Sequence, residues 1–310
     1  MTIDEPGIYT DFSEADYFAD AAPLPSLTQS VAKILLDQSP LHAWHAHPRL
    51  NPDYQRDDDR KFDVGNIAHK LMLGRGKNIE VLDYNDWRTA ASKDAREDAA
   101  KAGKLAVLGK HYALAERMVK AARDQLELRN LGHLFRDGSG EVVTVWDEGD
   151  IWLRQMIDWL TPDRLTFADF KTTDMNAAPH QIPRMMVNAG WPIQAAMGER
   201  GLNAIDPKNA GRRKFYFVVQ ETEKPYCLNV VEITEGVMTM GRKQLDMAVA
   251  IWRHCMGANR WPGYPAEIVR PEYPGWHESQ VLAREIEHEG HQNERALRPS
   301  GRDGAYLGAG

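Results

Sequence analysis

The sequence predicts an α/β fold in which a central mixed β-sheet is flanked by helices, and three observations support this prediction. Residues 142–170 show the alternation of apolar side chains that is typical of β-strands. A second pair of strand-like segments follows at 214–231. The segments before, between and after these strands have the helical spacing of apolar residues. This order of elements is typical of one α/β core.

The composition is that of an ordinary globular protein. The 310 residues are 43% hydrophobic and 27% charged, and a chain of this length can bury one large core or two modest ones. The net charge of −7 at pH 7 argues against a strongly basic nucleic-acid-binding surface. It still permits a cleft in which basic residues lie beside acidic metal ligands.

The chain has no apolar run long enough to cross a membrane, and its N-terminus lacks the features of a secretory signal. We therefore expect no membrane contact. Cys227 and Cys255 are far apart and lack metal-site spacing, which indicates reduced thiols in a cytoplasmic protein.

Three regions are expected along the chain. Residues 1–25 are rich in Asp, Ala and Pro, which predicts an extended and mostly irregular lead-in. Residues 26–288 are expected to form a single domain that holds all the periodic segments. Residues 289–310 are rich in Gly, Arg and polar residues, which predicts a flexible tail.

The helices that precede the sheet are predicted from their apolar spacing. Thr28 is the expected N-cap of the first helix, and the pair Ser39-Pro40 is a typical start for the second. Further helices are predicted over residues 62–73, 87–102 and 109–128.

The strands and the later helices follow in order. Strands are predicted over residues 142–146, 151–160, 165–170, 214–219 and 226–231. Helices are predicted over 177–201 with a break near Gly190, from Thr234 to about Met256, and over 280–288.

The strand segments 151–160 and 165–170 carry two carboxylates and a lysine that could meet. Side chains alternate along a strand, so Asp169 and Lys171 project to the same side and Asp158 can lie beside them from the preceding strand. Burying such a group for structure alone is costly. The alternative is a plain surface Asp–Lys pair, since a D-x-K triplet is common by chance. The presence of Asp158 favours a functional site.

The chemistry that fits this group is a Mg²⁺ site for phosphodiester hydrolysis, in which Mn²⁺ could substitute. Mg²⁺ prefers oxygen ligands, which Asp158, Asp169 and the backbone carbonyl of Phe170 can supply. Lys171 could orient the attacking water and stabilise charge on the phosphate. Glu141, at the start of the first strand, is either a third carboxylate of the site or an exposed residue.

The motifs resemble those of the PD-(D/E)xK nuclease superfamily, and more closely those of the RecE (exonuclease VIII) and RecB-type phage exonucleases. The first motif aspartate is matched by Asp158, and the D-x-K triplet by Asp169 and Lys171. A helical G-x-x-x-H segment is matched by the residues that end at His69, and a later helical glutamine by Gln194. The resemblance covers most of the chain.

The resemblance implies a PD-(D/E)xK, restriction-endonuclease-like core and a role for two further residues. His69, which alone is more simply interpreted as a packing or surface histidine, is expected to join the metal site. Gln194 is expected to contact the DNA backbone or orient Lys171, while Trp191 is expected in the core. The chain departs from the family at Gly198, where RecB-type members often have tyrosine. Its two cysteines exclude the iron–sulfur branch.

The function expected from the resemblance is a Mg²⁺-dependent exonuclease that digests double-stranded DNA from its ends, 5′ to 3′, for recombination. A ring-shaped homo-oligomer and a single-strand annealing protein as partner are implied as well. The alternatives are an endonuclease of the same superfamily and a non-catalytic DNA-binding module. Arg154, Arg164 and Arg184 are candidate DNA contacts.

Overall fold

The structure is a computed structural model that describes residues 3–55, 64–74 and 78–296, with side chains to residue 289. The chain divides into two compact units, Met1–Tyr264 and Pro265–Gly310. This division differs from the predicted single domain over 26–288. The proline-rich stretch that begins at Pro262 separates the units, because proline interrupts both helix and sheet hydrogen bonding.

The strands are β1 (Gly7–Tyr9), β2 (Ser26–Leu27), β3 (Ile79–Leu82), β4 (Leu105–Leu108), β5 (Ser139–Asp147), β6 (Trp152–Leu160), β7 (Thr166–Thr173), β8 (Lys214–Glu221) and β9 (Leu228–Glu232). The helices are α1 (Glu14–Ala19), α2 (Gln29–Asp37), α3 (Pro40–His45), α4 (Val64–Met72), α5 (Ala90–Lys101), α6 (Gly109–Glu127), α7 (Ile182–Ala189), α8 (Trp191–Ile205), α9 (Glu235–Ala258) and α10 (Gly275–Ala296).

The central sheet is mixed, as predicted. Its strand order is β1-β5-β6-β7-β8-β9, with β2 beside β6, and β7 and β8 are parallel while their outer neighbours pair antiparallel. Strands β3 and β4 form a separate two-stranded parallel sheet. Helices α7 and α8 lie between β7 and β8 and provide the crossover that a parallel pair requires.

Two cores lie on the two faces of the sheet. The first includes Trp191 of α8 and Trp252 of α9, and the second includes Met118 of α6. Successive residues of β8 enter different cores, with Phe217 in the first and Val218 in the second. The sheet is therefore covered by helices on both faces. The side chains packed in each core set the distance between the helices and the strands.

The lead-in is more ordered than its composition predicts. Strand β1 pairs antiparallel with β5, and α1 begins after Ser13, whose side chain caps the helix. Ile3, Phe12 and Tyr17 are buried in a third core. A strand of three residues is too short to show a period, so composition dominated the prediction.

The helix starts are those expected from capping residues. Thr28 accepts a hydrogen bond from the Val31 amide, and Ser39 caps the helix that starts at Pro40. The helix predicted over 280–288 is longer, since α10 begins at Gly275 and ends at Ala296. Residues 62 and 63 of another predicted helix, and residues 297–310 of the predicted tail, lie outside the described residues. Within the described part of the chain, none of the helices is both long and apolar enough to cross a bilayer.

Candidate active site

The site forms where two neighbouring strands of the central sheet separate. Strands β6 and β7 are paired next to their turn, through Leu160–Phe167 and Trp159–Ala168, and the pairing stops there. The next residues in register are Asp158 on β6 and Asp169 on β7. The Asp158 carboxylate accepts a hydrogen bond of 3.0 Å from the amide of Phe170. A side chain thus takes the place of the missing backbone partner.

Helix α4 brings His69 to this gap. The His69 ring nitrogen Nε2 lies 2.9 Å from Oδ2 of Asp158. The helix end approaches β5 closely because Gly140 has no side chain, and a Cβ there would lie only 2.6 Å from the Leu73 carbonyl oxygen. The expected neighbourhood of His69 is confirmed, and its role as a metal ligand stays a prediction.

Asp169 is contacted by two donors, one on its own strand and one on α8. The ammonium of Lys171 lies 2.7 Å from Oδ1 of Asp169, as the alternation along β7 predicts. The side-chain amide of Gln194, in the first turn of α8, donates a hydrogen bond to Oδ2. The Lys171 ammonium also lies 5.8 Å from the centre of the Phe217 ring, within the range of a cation–π contact.

Burial and the neighbouring charges shift the pKa values of the site residues in different directions. Burial opposes the charge of Asp158, but the neighbouring charge of His69 and its hydrogen bond hold the pKa of Asp158 below its ordinary value. Burial is the main cause that raises the pKa of Asp169, and the negative charge of Asp158 raises it further. Burial disfavours the cation of Lys171, yet the two carboxylates raise the pKa of Lys171 above its ordinary value. The two carboxylates therefore lie so close together that only one of them ionises easily.

The donor set fits a divalent cation that prefers oxygen. Oδ1 of Asp169 is buried and accepts no well-aligned hydrogen bond within the described residues, although Lys171 is close. The amide of Phe170 points at Asp158, and in a strand the carbonyl of the same residue points to the same side. The ion would be held by the side chains of His69, Asp158 and Asp169 and by the carbonyl oxygen of Phe170.

The two carboxylates of the site contact a histidine and a lysine in the structure. No three or more His, Cys, Asp or Glu side chains of the described residues are already arranged as a metal-binding cluster. Asp158 instead contacts His69, and Asp169 contacts Lys171. A bound cation would compete with both contacts.

Glu141 interrupts the ladder between β5 and β6. The pairs on either side are Gly140–Trp159 and Val142–Ile157, so Glu141 lies opposite Asp158. Its φ of +52° is in the left-handed region, which a strand residue rarely adopts. Its proposed role as a further ligand stays a prediction.

Arg154 is buried in an ion pair, which contradicts its prediction as a DNA contact. Its side chain is buried at 4% exposure, and its guanidinium lies 2.7 Å from Oδ1 of Asp20. It also donates to the carbonyls of Tyr17 and Ser26. The lead-in covers this part of β6, which the sequence pattern did not indicate.

The other two arginines are exposed. Arg164 lies in the turn between β6 and β7, and Arg184 lies in α7. Both remain candidate DNA contacts.

Several supporting residues were predicted only in part. Trp191 is in the core, as expected, and its ring stacks on Phe217 with centroids 4.5 Å apart. Gly198 lies against the sheet, where a Cβ would be 2.8 Å from the Phe167 ring, so a tyrosine at this position would not fit. Gln155, which is buried beside α8, carries no sequence signal that distinguishes it.

A mixed sheet covered by helices, with two aspartates and a lysine where β6 and β7 separate, defines the class of PD-(D/E)xK nuclease-like folds. The model of the family described as "PDDEXK-like domain of unknown function" (DUF3799) matches residues 33–270. The chain therefore belongs to that family and to the PD-(D/E)xK superfamily.

Among solved structures, the chain is similar to a protein of Eubacterium rectale that carries the name "Putative exonuclease". The two share 12% identity and a TM-score of 0.56, with 85% of this chain and 96% of the other covered. Rai1 of Scheffersomyces stipitis also has 12% identity, with 82% and 75% covered, but its TM-score of 0.24 is too low to support an argument. No curated protein matches the chain. At this identity the likeness supports the fold alone.

Proposed function

We propose that the protein is a Mg²⁺-dependent exodeoxyribonuclease that degrades linear double-stranded DNA from its ends, 5′ to 3′, and leaves single strands for recombination. The observation that carries the nuclease part is the meeting of Asp158 and Asp169 where β6 and β7 separate, with Lys171 at 2.7 Å from Asp169. Membership of the PD-(D/E)xK superfamily agrees with it.

Each residue has a chemical task in this proposal. Asp158, Asp169, the Phe170 carbonyl and His69 hold the ion, which when bound would polarise the scissile phosphate and acidify a bound water. Lys171 carries a positive charge at the gap, where it can stabilise negative charge that develops on the phosphate. Gln194 holds one Asp169 oxygen and so leaves the other directed at the gap.

The exonuclease part of the proposal rests on different support. The motifs resemble those of the RecE and RecB-type exonucleases, and the Eubacterium rectale protein is named as an exonuclease candidate. Digestion from 5′ ends, a ring-shaped homo-oligomer and an annealing protein as partner follow from the resemblance alone.

The test is digestion of one duplex sequence in linear and covalently closed circular form, with Mg²⁺, with Mn²⁺ and with a chelator. We expect loss of the linear form only, with either metal, and release of a 5′ label before a 3′ label. Equal cutting of closed circles would contradict the exonuclease and favour the endonuclease. DNA binding without any cleavage would favour a non-catalytic binding module.

A further inference from the structure

The gap between β6 and β7 is bridged on one face of the sheet by two glutamines. Gln155 lies on β6 and is 2% exposed. Its side-chain amide donates a hydrogen bond of 3.2 Å to the backbone carbonyl of Gln194 in the first turn of α8. The side chain of Gln194 in turn donates to Asp169 on β7. The two strands that carry the aspartates are thus connected through α8.

The close approach of α8 makes this connection possible. Gly198 lies one helical turn after Gln194, and a Cβ there would be 2.8 Å from the Phe167 ring and 3.5 Å from Nε2 of Gln155. The helix backbone therefore rests directly on the Gln155 amide. The same first turn of α8 carries the Gln194 side chain.

Stability alone gives a weak reason for a glutamine at position 155. Its oxygen Oε1 is buried and has no hydrogen-bond partner among the described residues. A buried amide with unmet hydrogen-bonding capacity costs free energy, and an apolar residue of the same shape can be equally stable. The remaining explanation for a glutamine here is the hydrogen bond that its side-chain amide donates to the Gln194 carbonyl.

A second buried glutamine provides the matched comparison. Gln220 on β8 is fully buried, donates a hydrogen bond of 2.8 Å to the Met118 carbonyl of α6, and also has an unpartnered Oε1 within the described chain. Both glutamines thus tie a strand to a helix backbone with the same chemistry. They differ in that only the target of Gln155 contacts Asp169.

We propose that Gln155 is a positioning residue of the nuclease site, which fixes the first turn of α8 so that the Gln194 amide holds Asp169. This inference rests on the proposed function for its catalytic consequence. Its structural content, the placement of Gln194, is independent of catalysis. Residues that orient metal ligands in this indirect way typically affect metal affinity or activity by about 10- to 100-fold.

The experiment compares Gln155→Met with Gln220→Met in the full chain. The first readout is the side-chain amide signal of Gln194 in ¹⁵N-glutamine-labelled protein, assigned by its loss in Gln194→Met. We expect this signal to move in Gln155→Met and to stay in Gln220→Met. An unchanged Gln194 signal in folded Gln155→Met would overturn the proposal, whether or not the protein cuts DNA.

The second readout is nuclease activity together with Mn²⁺ affinity, compared under conditions in which the variants have the same stability. We expect Gln155→Met to lower kcat on linear duplex, and the affinity for Mn²⁺ measured by titration, by about tenfold or more with little change in KM. Gln220→Met should leave each within about twofold, because it does not contact the site. Equal losses in both variants would show a merely structural role. A wild-type protein that cuts no DNA would remove the proposed function, while the Gln194 signal would still decide the role of Gln155.

Discussion

Strand β6 carries two groups of charged side chains that are built in opposite ways. At Arg154 the buried cation faces Asp20 at 2.7 Å, and the polar atoms of Ser26 and the His47 ring complete the carboxylate's partners. We call this the anchor cluster. At Asp158, in contrast, a second carboxylate, that of Asp169, lies across a gap in the sheet, and the charge of Asp158 raises the pKa of Asp169.

The difference shows in the pKa values of the two buried aspartates. Burial opposes the charge of Asp20, but hydrogen bonds from His47 and Ser26 and the Arg154 charge hold the pKa of Asp20 below its ordinary value. Burial and the charge of Asp158 raise the pKa of Asp169. The anchor cluster is therefore electrostatically satisfied and stabilises the fold. The second group holds two carboxylates close together beside Lys171 and His69, and the raised pKa of Asp169 is typical of a functional site.

The largest expected effect is on the anchor cluster. Arg154→Met leaves the Asp20 carboxylate buried without its cation, and loss of one partner of a buried ion pair costs about 3–5 kcal/mol. Urea denaturation should show this loss in the free energy of unfolding. The double variant Asp20→Asn with Arg154→Met should recover part of it. If Arg154→Met instead unfolds like the wild type and binds DNA more weakly, the arginine belongs to the DNA interface after all.

The next effect is on catalysis. In the proposed mechanism, Lys171→Met removes the positive charge beside the scissile phosphate, and loss of one such group lowers kcat by about 10²- to 10³-fold. DNA binding should be retained, as measured by fluorescence anisotropy with Ca²⁺ in place of Mg²⁺. Lys214→Met is the control, because Lys214 is an exposed strand lysine that pairs with Glu232 on β9. Equal activity of the two variants would contradict the role of Lys171.

A smaller effect separates the two aspartates by pH. The folded pKa of Asp20 is lowered, so the stability it contributes is present above its unfolded pKa of about 3.9 and is lost as pH falls through the folded value. The folded pKa of Asp169 is raised, so its ionisation destabilises the fold as pH rises through that value. Measurements of the free energy of unfolding against pH, made without metal, test both signs.

At neutral pH we expect Asp20→Asn to be less stable than the wild type and Asp169→Asn to be equally or more stable. Both differences should shrink in acid, where the aspartates of the wild type are protonated. A loss of stability in Asp169→Asn as large as that in Asp20→Asn would mean that both groups serve the fold.

The smallest effect concerns the exposed arginines. Each phosphate contact contributes about 0.9 to the slope of log affinity against log salt, so Arg184→Gln should lower that slope by about one. Arg164→Gln, at the closed end of β6 and β7, serves as the comparison. If neither variant changes the slope of DNA binding, both leave the list of DNA contacts.

The sequence predicted the parts of the site that depend on local pattern. Alternation placed Asp169 and Lys171 on one side of β7, and the turn before Thr166 brought Asp158 alongside. The proximity of His69 followed only from the resemblance, because nothing local relates α4 to β6. The caps at Thr28 and Ser39 were equally local and equally well predicted.

The remaining features depend on tertiary contacts that no local pattern records. Arg154 has the sequence context of a surface cation on a strand, and its partner Asp20 lies in the lead-in that composition described as irregular. Gln155 acquires its role from the depth at which α8 packs, which Gly198 permits. In both cases a long-range contact decided whether a polar residue is buried.

The central claim is that Asp158 and Asp169 jointly hold a divalent cation. Anomalous scattering from crystals soaked in Mn²⁺ tests it most directly, because it locates the ion without reference to activity. We expect one main peak between the two carboxylates, beside the Phe170 carbonyl, and its loss in Asp169→Asn. A main peak elsewhere in the wild type, with none at Asp158 and Asp169, would contradict the site and the function proposed for it.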